Sequence, residues 1–224
     1  MVLVSGWKLP TLITLGAVGF NAWADRLEGP PPAAGNTYSM SGWLYITAGR
    51  AGSTAVIMGM SDKAGTPEYH RIVLGGTGGL VMRVGSNLGG VDVATLTTGQ
   101  WYYVGMTCSA THILTGYVGG ATGALTKNTT SGITGIIPLA SHLSGDDLFG
   151  SHINGRLSNF KLWNRVLSDA EMEAERALNP LTISDLVGHW KLETAGTVLD
   201  ASTGTSLTVV DVAGTWTTEI GPTI

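Results

Sequence analysis

Carboxylates are the side chains of this chain with the clearest capacity for chemistry, and their spacing argues against catalysis. Two carboxylates about 5 Å apart can hydrolyse a glycosidic bond with retention, and alternate positions of one strand would present such a pair. Asp146 and Asp147 are adjacent, so an extended backbone would point them in opposite directions. Glu171, Glu173 and Glu175 fall in a predicted helix, where we expect a solvated acidic face. The sequence therefore predicts that the protein is not an enzyme.

The other reactive residue types also lack a catalytic arrangement. The chain has no Gly-x-Ser-x-Gly elbow and no His-Glu-x-x-His motif. We interpret its isolated histidines as ordinary polar residues: His70, His112, His142, His152 and His189. Neither a lysine nor a helix start follows the glycine-rich run 75–79, so it predicts a hairpin turn rather than a phosphate loop. Asn128-Thr129-Thr130 fits an N-glycan acceptor, which has meaning only in the secretory route.

Binding of a metal or a sugar is the remaining chemistry to weigh. Calcium prefers six to eight oxygen ligands, and the loop candidates are few and scattered, so we expect no cofactor. If calcium binds, the expected ligands are Asp25, Asp146 and Asp147. Exposed aromatic faces can stack on sugars, and the candidates near loops or chain ends are Trp23, Tyr69 and Trp216. Packing of these three at a rim or an interface stays open as the alternative.

Composition excludes several classes of protein. The 224 residues carry a formal charge of −4 without a basic run, which argues against nucleic-acid binding. No apolar run is long enough to span a membrane. Cys108 is the only cysteine, so an intrachain disulfide is excluded, and we expect a buried thiol. Residues 8–24 look like a signal peptide, but Pro10 and Gly16 interrupt the apolar run, so we expect no cleavage.

Periodicity predicts many short strands and a single helix. The expected strands are 12–20, 25–28, 38–46, 55–60, 69–74, 80–84, 91–96, 101–108, 112–118, 136–139, 153–163, 187–192, 207–210 and 215–220. Ser168 and Glu171 form a capping box that begins a helix, which Asn179-Pro180 ends near residue 178. The pattern predicts an all-β, antiparallel, two-sheet jelly-roll sandwich. We expect one domain over 12–224, preceded by an N-terminal arm over 1–11.

Several segments resemble the laminin G-like, concanavalin A-like lectin and glucanase jelly rolls. NGRLSNFKLWNRVLSDAEM is similar to the segment that carries the last long strand of such domains into a short helix. The matching residues are Gly155, Phe160, Leu162, Trp163, Asn164, Arg165, Leu167, Ser168 and Glu171. YSMSGWLYI, with Trp43, is similar to an early family strand, and the hairpin that begins at Trp101 also matches. Together with FNAWADRLEG, the resemblance covers roughly residues 12–178.

The resemblance sharpens two structural expectations. It implies a concanavalin A-like fold in which Trp43, Trp101 and Trp163 belong to the core. LVGHWKLETAG resembles a strand that many such domains place at their N-terminus, although here it follows the helix. Since chain termini can be neighbours in a sandwich, we expect either end to be able to supply this strand. Related glucanases carry a Glu-x-Asp-x-x-Glu string, which is absent from this chain.

Two functions remain open from the sequence. The first is a structural or adhesive protein on the surface of a virion, most of all a bacteriophage capsid-decoration or host-attachment protein. Its partners would be other virion proteins such as the major capsid protein, with copies of itself and glycans as further partners. The second is an exported carbohydrate-binding module of a bacterial surface protein, located outside the cell. Neither function involves a nucleic acid or a membrane.

Overall fold

The structure is a computed structural model that describes residues 14–20, 26–29, 37–48, 54–61, 69–75, 80–86, 89–130, 140–143, 153–178, 184–192, 208–210 and 217–224. Its strands are β1 (Thr14–Phe20), β2 (Arg26–Gly29), β3 (Tyr38–Ile46), β4 (Ala55–Ser61), β5 (Tyr69–Gly75), β6 (Leu80–Ser86), β7 (Gly89–Leu96), β8 (Trp101–Cys108), β9 (Leu114–Gly119), β10 (Thr126–Thr129), β11 (Ala140–Leu143), β12 (Gly155–Trp163), β13 (Leu186–Trp190), β14 (Thr208–Val210) and β15 (Thr217–Thr223). The helix of the described chain, α1, spans Asp169–Arg176.

The strands form two antiparallel sheets, as the sequence predicts. Sheet A has the order β10-β9-β8-β3-β12-β1-β15, and β13 also pairs with β12. Sheet B has the order β14-β2-β11-β4-β5-β6-β7. The expected hairpins β5–β6 and β8–β9 are both present. The all-β, two-sheet sandwich with one short helix is therefore confirmed.

The main core lies between the inner faces of the two sheets. In β3 the alternate residues Tyr38, Met40, Leu44 and Ile46 share the inner face, as predicted, and each is at most 2% exposed. Other strands of both sheets add large side chains to the same cluster, including Ile57, Ile72, Met82, Val84, Val104, Met106, Leu157 and Phe160. Cys108 is buried in this core as expected, and its burial raises the pKa of the thiol to about 11.

A β-bulge in β12 explains an irregular spacing in the sequence. Leu157 and Phe160 are three residues apart, yet both are fully buried in the inner core. The register of β12 against β3 shifts between Ser158 and Lys161, and Asn159 takes a φ of 52° there. Asparagine tolerates this left-handed conformation better than most residues. Because the bulge adds one residue to β12, the Phe160 side chain points into the core, as the Leu157 side chain does.

Both ends of the chain add strands beside β12. The register pairs Val18 of β1 with Leu157 and Trp190 of β13 with Phe160, so the two strands flank successive parts of β12. β15 then pairs with β1, at the far edge of sheet A. The segment after the helix thus supplies a strand next to the N-terminal one, which confirms the expectation for LVGHWKL.

Smaller differences from the expected elements have local causes. β9 begins at Leu114 instead of residue 112, because a turn holds His112 at a φ of 58° with its N–H donated to the Ser109 carbonyl. Threonine-rich β10 was not anticipated, and it pairs with β9 through four exposed residues. The strand expected over 136–139 lies outside the described residues, and so does the arm over 1–11. The single-domain boundary stays a prediction.

Candidate functional site

The outer face of sheet A is covered by the chain that follows β12. Trp43, Trp163 and Met172 are at most 1% exposed in a second apolar cluster, which Tyr103, Tyr117 and Leu167 complete. The rings of Trp43 and Tyr103 meet edge to face at 5.5 Å between centroids. The helix α1 therefore seals this face, and a ligand has no access to the aromatic residues beneath it.

The residues around Ser168 hold the helix against the sheet. Both halves of the capping box are present: the Glu171 N–H donates to Ser168 Oγ and the Ser168 N–H donates to Glu171 Oε2. Arg165 donates to both oxygens of Glu171, at 2.6 and 3.1 Å. The hydrogen bonds from the Arg165 guanidinium have the largest effect, followed by that from the Ser168 N–H, and together they lower the pKa of Glu171 to about 2. Ser39 Oγ ties the same segment to β3, donating to the Arg165 carbonyl at 2.7 Å.

The expectation of a solvated acidic face on α1 was wrong. Glu175 is 8% exposed and pairs with Lys161 at 2.6 Å, across the helix–sheet contact. Glu173 accepts the Leu125 N–H at 2.7 Å and pairs with Arg176. The sequence does not show which side chains of the sheet lie next to the helix, so it could not reveal that Glu175 is buried against Lys161. These carboxylates therefore position the helix, and each is bound to a cation.

The remaining signature residues also build the scaffold. Gly155 lies against β3 so closely that a Cβ there would be 2.1 Å from the Tyr45 carbonyl oxygen, so only glycine fits. Trp101, expected in the core, is only partly buried and rests against the Tyr45 ring at 5.5 Å. The motif that identifies the fold thus contributes no binding group.

The outer face of sheet B carries a concave site. We call it the cleft. Its larger depression, of about 280 Å³, is lined by Thr54, Arg71, Val73, Arg83, Gly85, Gly89 and Gly90. The adjoining smaller depression, of about 140 Å³, is lined by Thr54, Val73, Gly75, Val81, Arg83 and Asp92. Small-ligand pockets commonly measure about 300–1,000 Å³, so the cleft is at the lower end of that range.

Strand register explains which side chains meet in the cleft. Val73 of β5 is opposite Arg83 of β6, which is opposite Asp92 of β7. One row further, Arg71 is opposite Gly85, which is opposite Gly90. The residues between them in sequence, such as Ile72 and Val84, face the core and are fully buried. The alternation of β5–β7 therefore places the arginines outward.

The glycines create the depression because the strands leave no room for side chains. A Cβ on Gly85 would be 2.9 Å from the Gly89 carbonyl oxygen, and one on Gly90 would be 2.8 Å from the Val84 carbonyl oxygen. Real Cβ atoms do not approach backbone so closely. The floor beside Arg71 is consequently bare backbone, with the long side chains standing around it.

The described lining of the cleft contains two arginines and one carboxylate. Arg83 Nε donates to Asp92 Oδ1 at 2.7 Å, and the two side chains are 55% and 58% exposed. Arg71 is the second arginine of the described lining, and it has an interaction partner of its own. Arg71, Arg83 and Asp92 were missed from the sequence, although charged residues alternating with buried ones in RIVLG and VMRVG were a signal for an outward face.

The candidate site residues named from the sequence are mostly outside the described residues. Trp23, Trp216, Asp25, Asp146 and Asp147 fall there, as does the stretch around residues 21–25. Tyr69 begins β5, two residues before Arg71, but its side chain is not described. Among the described residues, no group of three histidine, cysteine, aspartate or glutamate side chains is placed to hold a metal. The assignments to glycan and calcium binding stay predictions.

A buried polar cluster lies on the inner face of β5, the strand that also carries Arg71. His70, 4% exposed, shares a hydrogen bond of 2.5 Å with the Tyr38 hydroxyl through its Nδ1. The ring of His112 stands edge-on to it at 6.2 Å between centroids. Burial, and secondarily the neighbouring His112, lowers the pKa of His70 to about 4. His70 is thus neutral at ordinary pH and belongs to the core.

The fold and the cleft define the class of lectin-like jelly-roll sandwiches. A laminin G family model, described as the concanavalin A-like lectin/glucanases superfamily, matches residues 25–173, more than half of the chain. The chain belongs to this family. The matched part includes β2 to β12 and the first residues of α1, and β1 and the strands after the helix lie outside it.

Solved structures of the same fold come from varied sources. A candidate carbohydrate-binding protein from Bacteroides ovatus is 17% identical with a TM-score of 0.71, over 97% of this chain and 63% of that one. A heptameric pentraxin from Limulus polyphemus is 13% identical with a TM-score of 0.65, over 92% and 94%. The enzymatically active domain of a bacteriophage CBA120 tailspike is 12% identical with a TM-score of 0.58, over 84% and 34%. At these identities the likeness shows the fold alone.

One curated relative matches at the level of sequence. It is a cytochrome b561 and DOMON domain-containing protein from Arabidopsis thaliana, 27% identical over 139 residues. The match covers 59% of this chain and 35% of the relative, so the chain spans about a third of that protein's length. No helix in the described part of the chain is long and apolar enough to cross a membrane.

Proposed function

We propose that the chain binds glycans without hydrolysing them, through the cleft on the outer face of sheet B. The observation that carries this proposal is the cleft itself: two adjoining depressions lined by Arg71, Arg83 and Asp92 over a backbone floor. Guanidinium and carboxylate groups supply the directional hydrogen bonds that sugar hydroxyls need. Membership of the lectin and glucanase superfamily supports the same assignment.

The described lining favours binding over hydrolysis. Retaining hydrolysis needs two carboxylates about 5 Å apart, and inverting hydrolysis needs two at a wider spacing. Asp92 is the one carboxylate among the described lining residues, and Arg83 holds it in an ion pair at 2.7 Å. Among the described lining residues, Asp92 has no second acid beside it that could donate a proton. We therefore propose a binding module, in agreement with the sequence.

We propose the surface of a virion as the setting, with other virion proteins such as the major capsid protein and further copies of the chain as partners. The bacteriophage tailspike of the same fold supports this setting. The likeness to a candidate carbohydrate-binding protein of Bacteroides ovatus supports the alternative, an exported module of a bacterial surface protein. Mass spectrometry of the native protein separates them, because export predicts cleavage after Ala24 and a virion protein predicts an intact Met1.

Glycan binding is tested by affinity electrophoresis of the full chain in gels that contain neutral or acidic polysaccharides. We expect retardation in at least one gel, with no release of reducing ends from that polysaccharide. Arg83→Met should weaken the interaction about tenfold or more, since a hydrogen bond to a charged group contributes about 1.5–3 kcal/mol. Arg156→Met, on β12 of the other sheet, is the matched control and should bind normally. Absence of retardation in every gel would contradict the proposal, and release of reducing ends would make the chain an enzyme.

A further inference from the structure

The smaller depression of the cleft combines apolar side chains with an ion pair. It is formed by two neighbouring rows across β5 and β6, in which Val73 is opposite Arg83 and Gly75 is opposite Val81. Asp92 of β7 extends the first row, since it is opposite Arg83. Gly75 contributes no side chain. The depression therefore offers the methyl groups of two valines beside a guanidinium and a carboxylate.

The ion pair uses only part of the hydrogen-bonding capacity of its two partners. Arg83 Nε donates to Asp92 Oδ1 at 2.7 Å, and this is the hydrogen bond that the two side chains make among the described residues. A guanidinium has further N–H donors on its two terminal nitrogens, and a carboxylate has a second acceptor oxygen. Both side chains are more than half exposed, so a ligand can reach these atoms. The pair thus presents a donor and an acceptor side by side.

The size of the smaller depression matches one six-membered ring. Its volume is about 140 Å³, and a protein cavity of about 150 Å³ is enough for benzene. A pyranose ring has C–H groups on its faces and hydroxyl groups at its edge, so it can contact methyl groups and polar groups at the same time. A largely apolar lining with a few polar groups that fix orientation is typical of small-ligand sites.

The charges of the smaller depression favour a ring without a charge. Arg83 and Asp92 neutralise each other, so a neutral ligand leaves their ion pair intact. A carboxylate on the ligand would meet the Asp92 carboxylate and would compete with it for Arg83. Like charges brought together at a binding site are unfavourable. Asp92 therefore disfavours acidic sugars at this position.

We propose that the smaller depression binds one uncharged sugar ring and recognises two neighbouring hydroxyl groups of that ring. One hydroxyl accepts a terminal N–H of Arg83, and its neighbour donates to Oδ2 of Asp92. A C–H face of the ring lies against Val73 and Val81. This inference rests on the proposed glycan binding, and it adds the class of sugar and the two residues that select it.

The test compares a panel of methyl glycosides of glucose, mannose and galactose with the uronic acid of each ring. Backbone amide shifts of the full chain, recorded during titration, give the dissociation constants. We expect at least one neutral ring to bind, about tenfold or more tightly than its own uronic acid. Among the monodeoxy analogues of that ring, loss of either of two neighbouring hydroxyl groups should weaken binding about tenfold, because each bonds to a charged group.

Variants assign the two hydroxyl groups to their partners. Asp92→Ala should weaken binding of the neutral ring about tenfold, and loss of the hydroxyl that donates to Asp92 should cost nothing further in this variant. Asp169→Ala is the matched control and should bind normally. Its ion pair with Lys127 has side chains that are 59% and 51% exposed, close to the 58% and 55% of Asp92 and Arg83. The amide spectra show whether each variant is folded, and the deoxy series on the wild type decides if Asp92→Ala is not.

The possible results separate the two claims. A uronic acid that binds as tightly as its neutral ring would overturn the selection of an uncharged sugar. Equal binding of all monodeoxy analogues, or an unchanged affinity of Asp92→Ala, would overturn recognition through the ion pair. If no ring binds while polysaccharide gels still retard the chain, the single-ring site is wrong and glycan binding stands. If neither is observed, glycan binding itself is wrong and the inference falls with it.

Discussion

The outer faces of the two sheets are built in opposite ways. On sheet A, Trp43 and Trp163 lie under α1 and are at most 1% exposed. On sheet B, Arg71 and Arg83 surround a floor of bare backbone, and Arg83 is more than half exposed. On sheet A the large side chains of this face pack under the helix, whereas on sheet B charged side chains lie beside a depression. Of these two faces, we propose the one on sheet B as the place of a ligand.

This contrast separates the residues that identify the family from those of the proposed binding site. Arg165, Ser168 and Glu171, which belong to the segment that resembles the family, fix the helix over sheet A through hydrogen bonds. Apart from Thr54, which precedes β4, the lining residues of the cleft come from β5, β6 and β7, outside the segments that resemble the family in sequence. The signature thus identifies the scaffold, and the residues of the proposed binding site lie outside it.

The largest expected effect is on the covered face. Trp163→Ala removes a fully buried indole and should lower the free energy of unfolding by about 3–5 kcal/mol. The reason is that the second apolar cluster loses the contacts of the indole and is left with a cavity. Urea denaturation measures this change. Trp101→Ala is the matched control and should cost less, since Trp101 is only partly buried. A loss within about 0.5 kcal/mol for Trp163→Ala would show that the helix does not seal sheet A.

The next effect concerns the inner side of β5, one residue away from the cleft. His70 has a pKa of about 4 in the folded protein, below its usual value near 6.5, so the unfolded chain binds a proton first as the pH falls. The full stability is present above about pH 6.5 and is lost towards pH 4. We expect a loss of about 2–3 kcal/mol between pH 7.5 and 4.5, measured by urea denaturation.

Two variants show whether His70 causes this loss. His70→Gln cannot titrate, so its stability should fall less between the same two pH values. His189→Gln removes a partly buried histidine on β13 and should keep the full loss. An identical pH dependence in the wild type and in His70→Gln would assign the acid sensitivity to other groups.

A smaller effect is expected at the helix start. Ser168→Ala removes the cap of α1 and should cost about 1 kcal/mol, within the usual range of 0.5–2 kcal/mol for such caps. Lys127→Met removes an ion pair with Asp169 whose side chains are 51% and 59% exposed, so we expect a change within about 0.5 kcal/mol. Thermal unfolding of both variants measures the difference. Equal losses would mean that the capping box contributes nothing beyond surface charge.

The smallest effect on stability is expected in the cleft. Arg83→Met should change the free energy of unfolding by less than about 1 kcal/mol, because its ion pair with Asp92 is exposed. The same variant should weaken glycan binding about tenfold or more, which denaturation and titration measure side by side. A large loss of stability would show that Arg83 supports the sheet, and the contrast between the two faces would then be too simple.

The sequence predicted the elements that follow local rules. Period-two alternation identified β3 with both bounds correct, and the capping box at Ser168 identified the start of α1. Burial of Glu175 was missed because its partner Lys161 lies on another element, and local patterns do not show such contacts. The cleft was missed for a related reason: Arg71, Arg83 and Asp92 meet only through the register of three strands. Turn lengths and alternation suggest that register, but they do not fix it, because a shift of one residue reverses the face of every side chain.

The central claim is that the outer face of sheet B binds glycan while that of sheet A does not. Backbone NMR shifts of the full chain, recorded during titration with the best saccharide of the panel, test it most directly. We predict that the largest shifts occur at amides of Arg71, Val73, Arg83 and Gly90, with little change around Trp43 and α1. Shifts centred on α1, or saturable binding without shifts in β5–β7, would contradict the account.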